Sequence, residues 1–263
     1  MCLILVAWRA HPRFPCVLAA NRDEFFGRPS AEADWWPGGG ILAGRDLQAG
    51  GTWLGVTRSG RFAALTNYRD PAANVPDAPS RGALVSDFLT AQWSTSEGLS
   101  ELQRRGARCN PFNVLCSDGQ DLGIYESTTR SLRLLGPGVY ALSNHLLDTP
   151  WPKVQLAKSR LSEALQSLPH TASMLELLRD SDPAPDEQLP LTGLSVDLER
   201  MLSSAFVRGQ DYGTRCSTVL TIEADGAAVF AEWSWDPAGA LSGLARFTFQ
   251  TPAPGPCGGA AIG

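Results

Sequence analysis

Near its start the chain carries two apolar runs, Cys2-Leu-Ile-Leu-Val-Ala-Trp8 and Cys16-Val-Leu-Ala-Ala20, joined by the turn His11-Pro12-Arg13-Phe14-Pro15. Short runs of branched and apolar residues bounded by proline read as buried strands. A connection this short folds the second strand back antiparallel to the first. The second strand then runs directly into Asn21-Arg22-Asp23-Glu24, four consecutive polar residues at the end of an apolar strand. Because the two strands have similar lengths, the quartet returns to the start of the chain, and Arg22 and Asp23 are expected beside Cys2. A solvated turn is the alternative reading of the same four residues.

The pattern of strands continues. Thr52–Thr57 and Arg61–Thr66, joined by Arg58-Ser59-Gly60, predict a second hairpin that ends in Asn67-Tyr68. Asn113–Ser117 and Leu122–Glu126 flank Asp118-Gly119, and Ser217–Glu223 and Ala228–Trp233 flank Asp225-Gly226, two more hairpins. Gly138–Leu142 is a further strand, ending in Ser143-Asn144-His145. Helices interrupt the strands. Leu84, Val85, Phe88 and Leu89 recur at helical spacing behind Ser80, a plausible N-cap, and Val154, Ala157, Leu161, Leu165 and Leu168 form one face over 153–168. Shorter helices are expected at 172–179 and 196–204. The order argues for an α+β domain on largely antiparallel sheets. The Pro- and Asp-rich stretch 181–190 is too short to divide the chain, and from Thr251 a Pro- and Gly-rich tail without pattern is expected to be disordered.

Composition narrows the function classes. A formal net charge of −5 argues against a nucleic-acid binder working through bulk positive charge, and no polybasic run is present to dock on anionic lipid. Only Lys153 and Lys158 are lysines among 22 basic residues, so twenty are Arg. With abundant Ala, Gly and Pro, this usage fits a GC-rich bacterial genome. Six Cys, at 2, 16, 109, 116, 216 and 257, are too sparse for a disulfide scaffold, and no C-x-x-C or His-rich pair accompanies them to hold zinc. Met1 to Trp8 lacks a basic flank and a small-residue cleavage site and is too short to span a membrane. The cytosol, with reduced thiols, is the expected compartment. Hydrolase-elbow and nucleotide-loop motifs are absent. Of three His, His11 and His170 fall in surface loops, and His145 is the one placed to contact a site.

Cys2 is the most informative residue. Met before a small residue is normally removed, which leaves Cys2 with a free α-amine. That amine has a pKa of about 8 and the thiol about 8.5, so one residue supplies nucleophile and base. A neighbouring guanidinium raises the thiolate fraction further. The bland reading is a small buried hydrophobe opening a strand.

Several motifs together carry a resemblance. Met1-Cys2, Leu18-Ala-Ala-Asn-Arg-Asp-Glu-Phe25 with Arg28-Pro29, Gly50-Gly-Thr-Trp-Leu-Gly-Val56 and Ala64-Leu-Thr-Asn-Tyr68 resemble the NRDE family, that of the transport and Golgi organisation 2 proteins. Arg81-Gly82, Tyr140–Asn144, Thr149-Pro-Trp151 and Tyr212–Thr218 continue it in order over residues 1–235, read as a single domain, with 236–263 as a C-terminal extension. That family is in turn similar to N-terminal-nucleophile hydrolases of the cholylglycine hydrolase and penicillin V acylase type. The resemblance implies a four-layer αββα sandwich of two antiparallel sheets. It implies catalytic roles for Cys2, Arg22, Asp23, Asn67, Asn144 and Arg215, with Asn67 and Asn144 as oxyanion donors. Asn21, Tyr68 and His145 are the expected substrate contacts. The spacing between Arg22 and Asp23 departs from the wider family's. Without the family, Asn67 and Asn144 read as turn residues and Arg215 as a surface residue. The implied activity is hydrolysis of a linear amide, ester or thioester of a small acyl substrate, without metal or cofactor. The alternative implied is a non-catalytic carrier or trafficking factor for haem or for acyl or lipid ligands in the same cleft.

Overall fold

β1 (Cys2–Trp8) and β2 (Cys16–Phe25) pair antiparallel, with Cys2 opposite Arg22 and Trp8 opposite Cys16. The structure, a computed structural model, describes residues 2–253. Both faces of β1 are covered, which is why its sequence is continuously apolar rather than alternating. Leu3, Leu5 and Ala7 pack on one side, and Ile4, Val6 and Trp8 on the other, in two separate cores.

Second in chain order comes a seven-stranded sheet of β3 (Ser30–Trp35), β4 (Leu42–Asp46), β5 (Leu54–Val56), β6 (Phe62–Asn67), β7 (Phe112–Ser117), β8 (Leu122–Glu126) and β9 (Ser131–Leu135), each beside the next. The chain returns to the first sheet with β10 (Gly138–Leu142), β11 (Tyr212–Ile222), β12 (Ala227–Trp235) and β13 (Leu241–Gln250), in the order β10-β1-β2-β11-β12-β13. All pairings are antiparallel.

Three cores define four layers. Between the sheets lie Ile4, Val6 and Leu18 from one side and Leu54, Phe62, Leu115 and Ile124 from the other. Outside the first sheet pack α3 (Pro152–Ala164) and α4 (Ala172–Leu178), through Val154, Leu161 and Leu177. Outside the second sheet pack α1 (Gly82–Thr90) and α2 (Thr95–Gly106), through Val85, Phe88, Leu99 and Leu102. A fully buried Leu, Ile or Phe stabilises by roughly 1.5–3 kcal/mol, so these three layers of side chains dominate folding. This is the expected αββα sandwich. A short helix α5 (Val196–Met201) sits in the long connection before β11.

Several elements were not legible in the sequence. α2 buries small residues, with Gly98 tucked where any Cβ would lie 2.3 Å from the Phe88 ring. The signal for α2 was its capping box, in which Ser94 and Glu97 bond each other's backbone N–H. Ser80 is not the cap of α1: the helix begins after Arg81, and the Ser80 hydroxyl reaches only the Gly82 N–H at 3.3 Å. The segment beyond Trp235, set outside the resemblance, supplies β13, which pairs with β12 along its length. Its side chains alternate between exposed and half-buried, the signature of an edge strand with one covered face. The expected disorder from Thr251 falls mostly outside the described residues, as does Cys257; Thr251 itself is buried and its N–H bonds Gly226.

Candidate functional site

The register of the first sheet assembles a row of side chains. Cys2 pairs with Arg22, Arg22 with Cys216 and Cys216 with Ser234, so four adjacent strands present them side by side on one face. All four line a cavity of about 580 Å³. Asp23, Glu24, Arg28, Asn67, Arg81, Arg215 and Glu232 complete the walls that bear most on its chemistry. The polar quartet after β2 is therefore part of a cavity wall, because β2 continues as a strand to Phe25 rather than turning at Asn21.

Cys2 is 8% exposed. Burial pushes its thiol up, and so does the Asp23 charge, while the Asp23 backbone N–H and then the Arg22 guanidinium pull it down. Its carbonyl accepts a hydrogen bond from the Ser143 hydroxyl at 3.2 Å, which ties β1 to the end of β10. Asp23 is buried, and Thr214 donates to its carboxylate at 2.7 Å. Burial raises its carboxyl, opposed by Lys153, the Thr214 hydroxyl and Arg69. Arg22 is half a step from Glu24, at 3.8 Å.

Arg215 owes its place to a bulge. The register of β11 against β2 shifts between Thr214 and Cys216, which re-aims the residue between them. Its guanidinium donates to the carbonyls of Phe25, Phe26 and Arg28 at 2.9, 3.3 and 3.1 Å and to the Ser30 hydroxyl at 3.2 Å. Arg215 therefore holds the loop that carries Arg28 over the cavity. Arg28 itself is bonded to Asp46 at 2.7 Å.

The two asparagines differ. Asn67, at the end of β6, is half-buried and faces the cavity. Asn144 is fully buried behind it and does not line the cavity. Its amide donates to the Asn67 carbonyl at 3.0 Å and its own carbonyl accepts from the Arg69 N–H at 2.7 Å. The expected second oxyanion donor is thus a brace for Asn67.

The three expected substrate contacts also lie elsewhere. Asn21 faces α4: its amide donates to the carbonyls of Leu178 and Ala205 at 2.7 and 2.8 Å and accepts from Ser217 at 2.6 Å. Side chains alternate along a strand, so Asn21 points opposite to Arg22. Tyr68 and His145 bond each other at 2.8 Å, and the second His145 nitrogen meets the Thr149 hydroxyl at 2.8 Å. Burial lowers the His145 imidazole pKa. Both rings stand outside the cavity lining.

Sequence reading missed Arg81 and Glu232. Arg81 is placed by a close backbone approach: a Cβ on Gly51 would lie 2.4 Å from the Gly82 carbonyl carbon, so only glycine lets the loop before β5 abut the start of α1. The motif Gly50-Gly51 and the motif Arg81-Gly82 are two sides of this one contact. Arg81 donates to the Pro111 carbonyl at 3.0 Å. Glu232 is buried, accepts from the Ala33 N–H at 3.0 Å and the Thr218 hydroxyl at 2.9 Å, and is held above the usual carboxylate range by burial. Also unforeseen are the buried charges of Arg69, Lys153 and Glu199, of which Arg69 and Glu199 form an ion pair. Among the described residues no group of His, Cys, Asp and Glu is arranged to hold a metal ion. No helix there is long and apolar enough to cross a membrane.

Comparison with known proteins agrees with this architecture. The sequence is 36% identical over 257 residues to the Transport and Golgi organization protein 2 homolog of Bos taurus, covering 89% of this chain and 93% of that one. The Homo sapiens homolog is 36% identical over 258 residues, with the same coverage of 89% and 93%. Among solved structures, the Caenorhabditis elegans ortholog of N-acylethanolamine-hydrolyzing acid amidase superposes with a TM-score of 0.50 at 13% identity, covering 83% of this chain and 92% of that one. At that identity the likeness establishes the fold, an N-terminal-nucleophile-hydrolase-like sandwich, and nothing about substrate. The family model described as Transport and Golgi organisation 2 matches residues 1–237, and the chain belongs to that family.

Proposed function

We propose that Cys2, made N-terminal by loss of Met1, is the nucleophile of a hydrolase acting on a linear amide, ester or thioester of a small acyl substrate. The observation that carries this reading is the row Cys2–Arg22–Cys216 on the cavity floor, with Asp23 in the wall of the same cavity. The thiol passes its proton to the α-amine and the sulfur attacks the substrate carbonyl. The oxyanion that forms is met by the Asn67 amide, a donor of the kind that contributes about 3 kcal/mol to the barrier. Collapse expels the amine, alcohol or thiol, which takes the proton back from the α-ammonium. Water, deprotonated by the same amine, then releases the acid from the acyl-enzyme. Arg22 favours the thiolate, and Asp23 orients the amine. The fold shared with an acid amidase makes amide hydrolysis the first reaction to assay.

Intact mass of the purified protein establishes whether the chain starts at Cys2. A panel of acyl amides, esters and thioesters then tests turnover in wild type and Cys2→Ala. The expected result is a processed chain, an acyl adduct on Cys2, and loss of turnover in the variant by a factor of about a thousand or more. Retained Met1 with unaltered turnover in the variant overturns the reading. Ligand binding to wild type and variant alike, without turnover in either, favours a carrier of haem or acyl ligands in the same cavity.

A further inference from the structure

Five arginines line the cavity: Arg22, Arg28, Arg45, Arg81 and Arg215. Three of them are spent within the fold. Arg28 is bonded to Asp46 at 2.7 Å, and Arg215 gives its donors to backbone carbonyls and to Ser30. Arg45 is exposed, donates to the Gly50 carbonyl at 3.2 Å and lies over the Trp36 ring. Arg22 and Arg81 remain. The Arg22 side chain is 10% exposed, yet its guanidinium makes no hydrogen bond among the described residues; Glu24 stands off at 3.8 Å. Arg81 is half-buried, and no carboxylate among the described residues pairs with it. It commits one nitrogen, Nη1, to the Pro111 carbonyl.

The place of Arg81 makes its unpaired charge costly. Arg81 is the N-cap of α1, but its side chain does not cap the helix, and the first turn holds no acid. That position ordinarily takes Ser, Thr, Asp or Asn, and the positive end of the helix dipole repels a cation. Pro79, Ser80 and Gly82 line the cavity with Arg81, so this helix start opens on the same space as Cys2.

We infer that Arg81 is a specificity-determining residue that binds a carboxylate carried by the substrate, so that the compounds taken at Cys2 are anions. The inference deepens the hydrolase reading and rests on it. With Nη1 on Pro111, the Nε and Nη2 edge of the guanidinium is left, and that edge matches the two oxygens of one carboxylate. The start of α1 and the buried Arg22 add positive potential to the cavity. A single unpaired guanidinium on this wall balances a carboxylate, whereas a phosphate dianion would need a second.

Substrate pairs that differ in one charge test this. Mono-p-nitrophenyl adipate and its methyl ester vary the charge on the acyl side, and 4-acetoxybenzoate and its methyl ester vary it on the leaving group. Wild type is expected to prefer the carboxylate of at least one pair by about tenfold in kcat/KM at low salt. In Arg81→Gln that preference falls towards one. In Arg81→Lys, which keeps the charge and loses the fork, it returns in part. A ratio within one protein is unaffected by partial loss of fold, and the wild-type preference needs no variant. No preference in wild type for either pair, or a preference that survives Arg81→Gln, overturns the inference. Binding is read separately in Cys2→Ala by NMR titration with monomethyl and dimethyl adipate. The monoanion is expected to bind about tenfold more tightly, and adding Arg81→Gln removes the difference. Turnover of none of the four esters overturns the hydrolase reading, and Arg81 is then decided by binding alone, where equal affinity for the two adipates overturns its role. Inorganic phosphate that displaces monomethyl adipate at a tenth of its concentration overturns the carboxylate in favour of a phosphate ligand.

Discussion

Two buried cysteines sit at opposite ends of one hairpin: Cys16 lies beside the turn, opposite Trp8, and Cys2 at the open end, opposite Arg22. Both are buried, Cys2 at 8% and Cys16 at 3% exposure. Around Cys16 nothing offsets the loss of water, and burial alone pushes its thiol up to about 12. Around Cys2 the same burial is opposed by the Asp23 backbone N–H and by Arg22, and the thiol lines a cavity. Burial therefore does not decide whether a cysteine is core or chemistry. The charges that the fold brings within a few ångströms, and a path to solvent, decide it.

This contrast can be broken by alkylation. With its thiol near 12, about one Cys16 in 10⁵ is ionised at neutral pH. Iodoacetamide at neutral pH is expected to label Cys2 at least about a hundredfold faster than Cys16, read by peptide mass spectrometry. Equal labelling would reduce Cys2 to an ordinary core residue. A smaller effect isolates the charge: Arg22→Met removes a cation that favours the thiolate, so Cys2 alkylation at neutral pH is expected to slow about tenfold while Cys16 is unchanged. An unchanged Cys2 rate would remove Arg22 from the groups that offset burial. The smallest effect marks the edge of the site. Tyr68→Phe loses one hydrogen bond to His145 and is expected to lower stability by about 1 kcal/mol in a denaturant titration, leaving Cys2 alkylation untouched. A slowed Cys2 would return Tyr68 to the cavity.

Much of the sandwich was legible because burial on two faces leaves a mark in the sequence. β1 and the first half of β2, Cys16 to Ala20, are continuous apolar runs, and β10 was bounded to the residue as Gly138–Leu142. α1 announced itself through Leu84, Val85, Phe88 and Leu89, all buried against the second sheet. Elements with one poor face did not. β9 is mostly exposed, β13 shows its covered face only at every second residue, and α2 packs through Gly98 and Gly106.

The site divides along the same line. That Cys2 meets Arg22 follows from two strands of similar length joined by a short turn, because strand pairing converts sequence distance into register. That Asn21 faces α4 while Arg22 faces the cavity follows from the period of two, once β2 is known to run on through the quartet. Asn67 and Asn144 could not be told apart in sequence, since each directly follows an apolar strand. Only the packing of one strand end behind the other makes Asn67 part of the wall and Asn144 its brace.

By itself, then, the sequence determined the α+β class with its antiparallel hairpins and the position of the cysteine at the open end of the first one. Both are encoded in local runs of apolar residues and in strand length; the four layers were implied by the family resemblance. The tertiary structure alone decided which polar groups surround that cysteine. Arg81 arrives through a contact of Gly51 with Gly82, Arg215 is aimed by a bulge in β11, and Glu232 comes from β12, late in the chain. Those placements depend on backbone approach and sheet register between distant segments, and on the need of buried charges for one another.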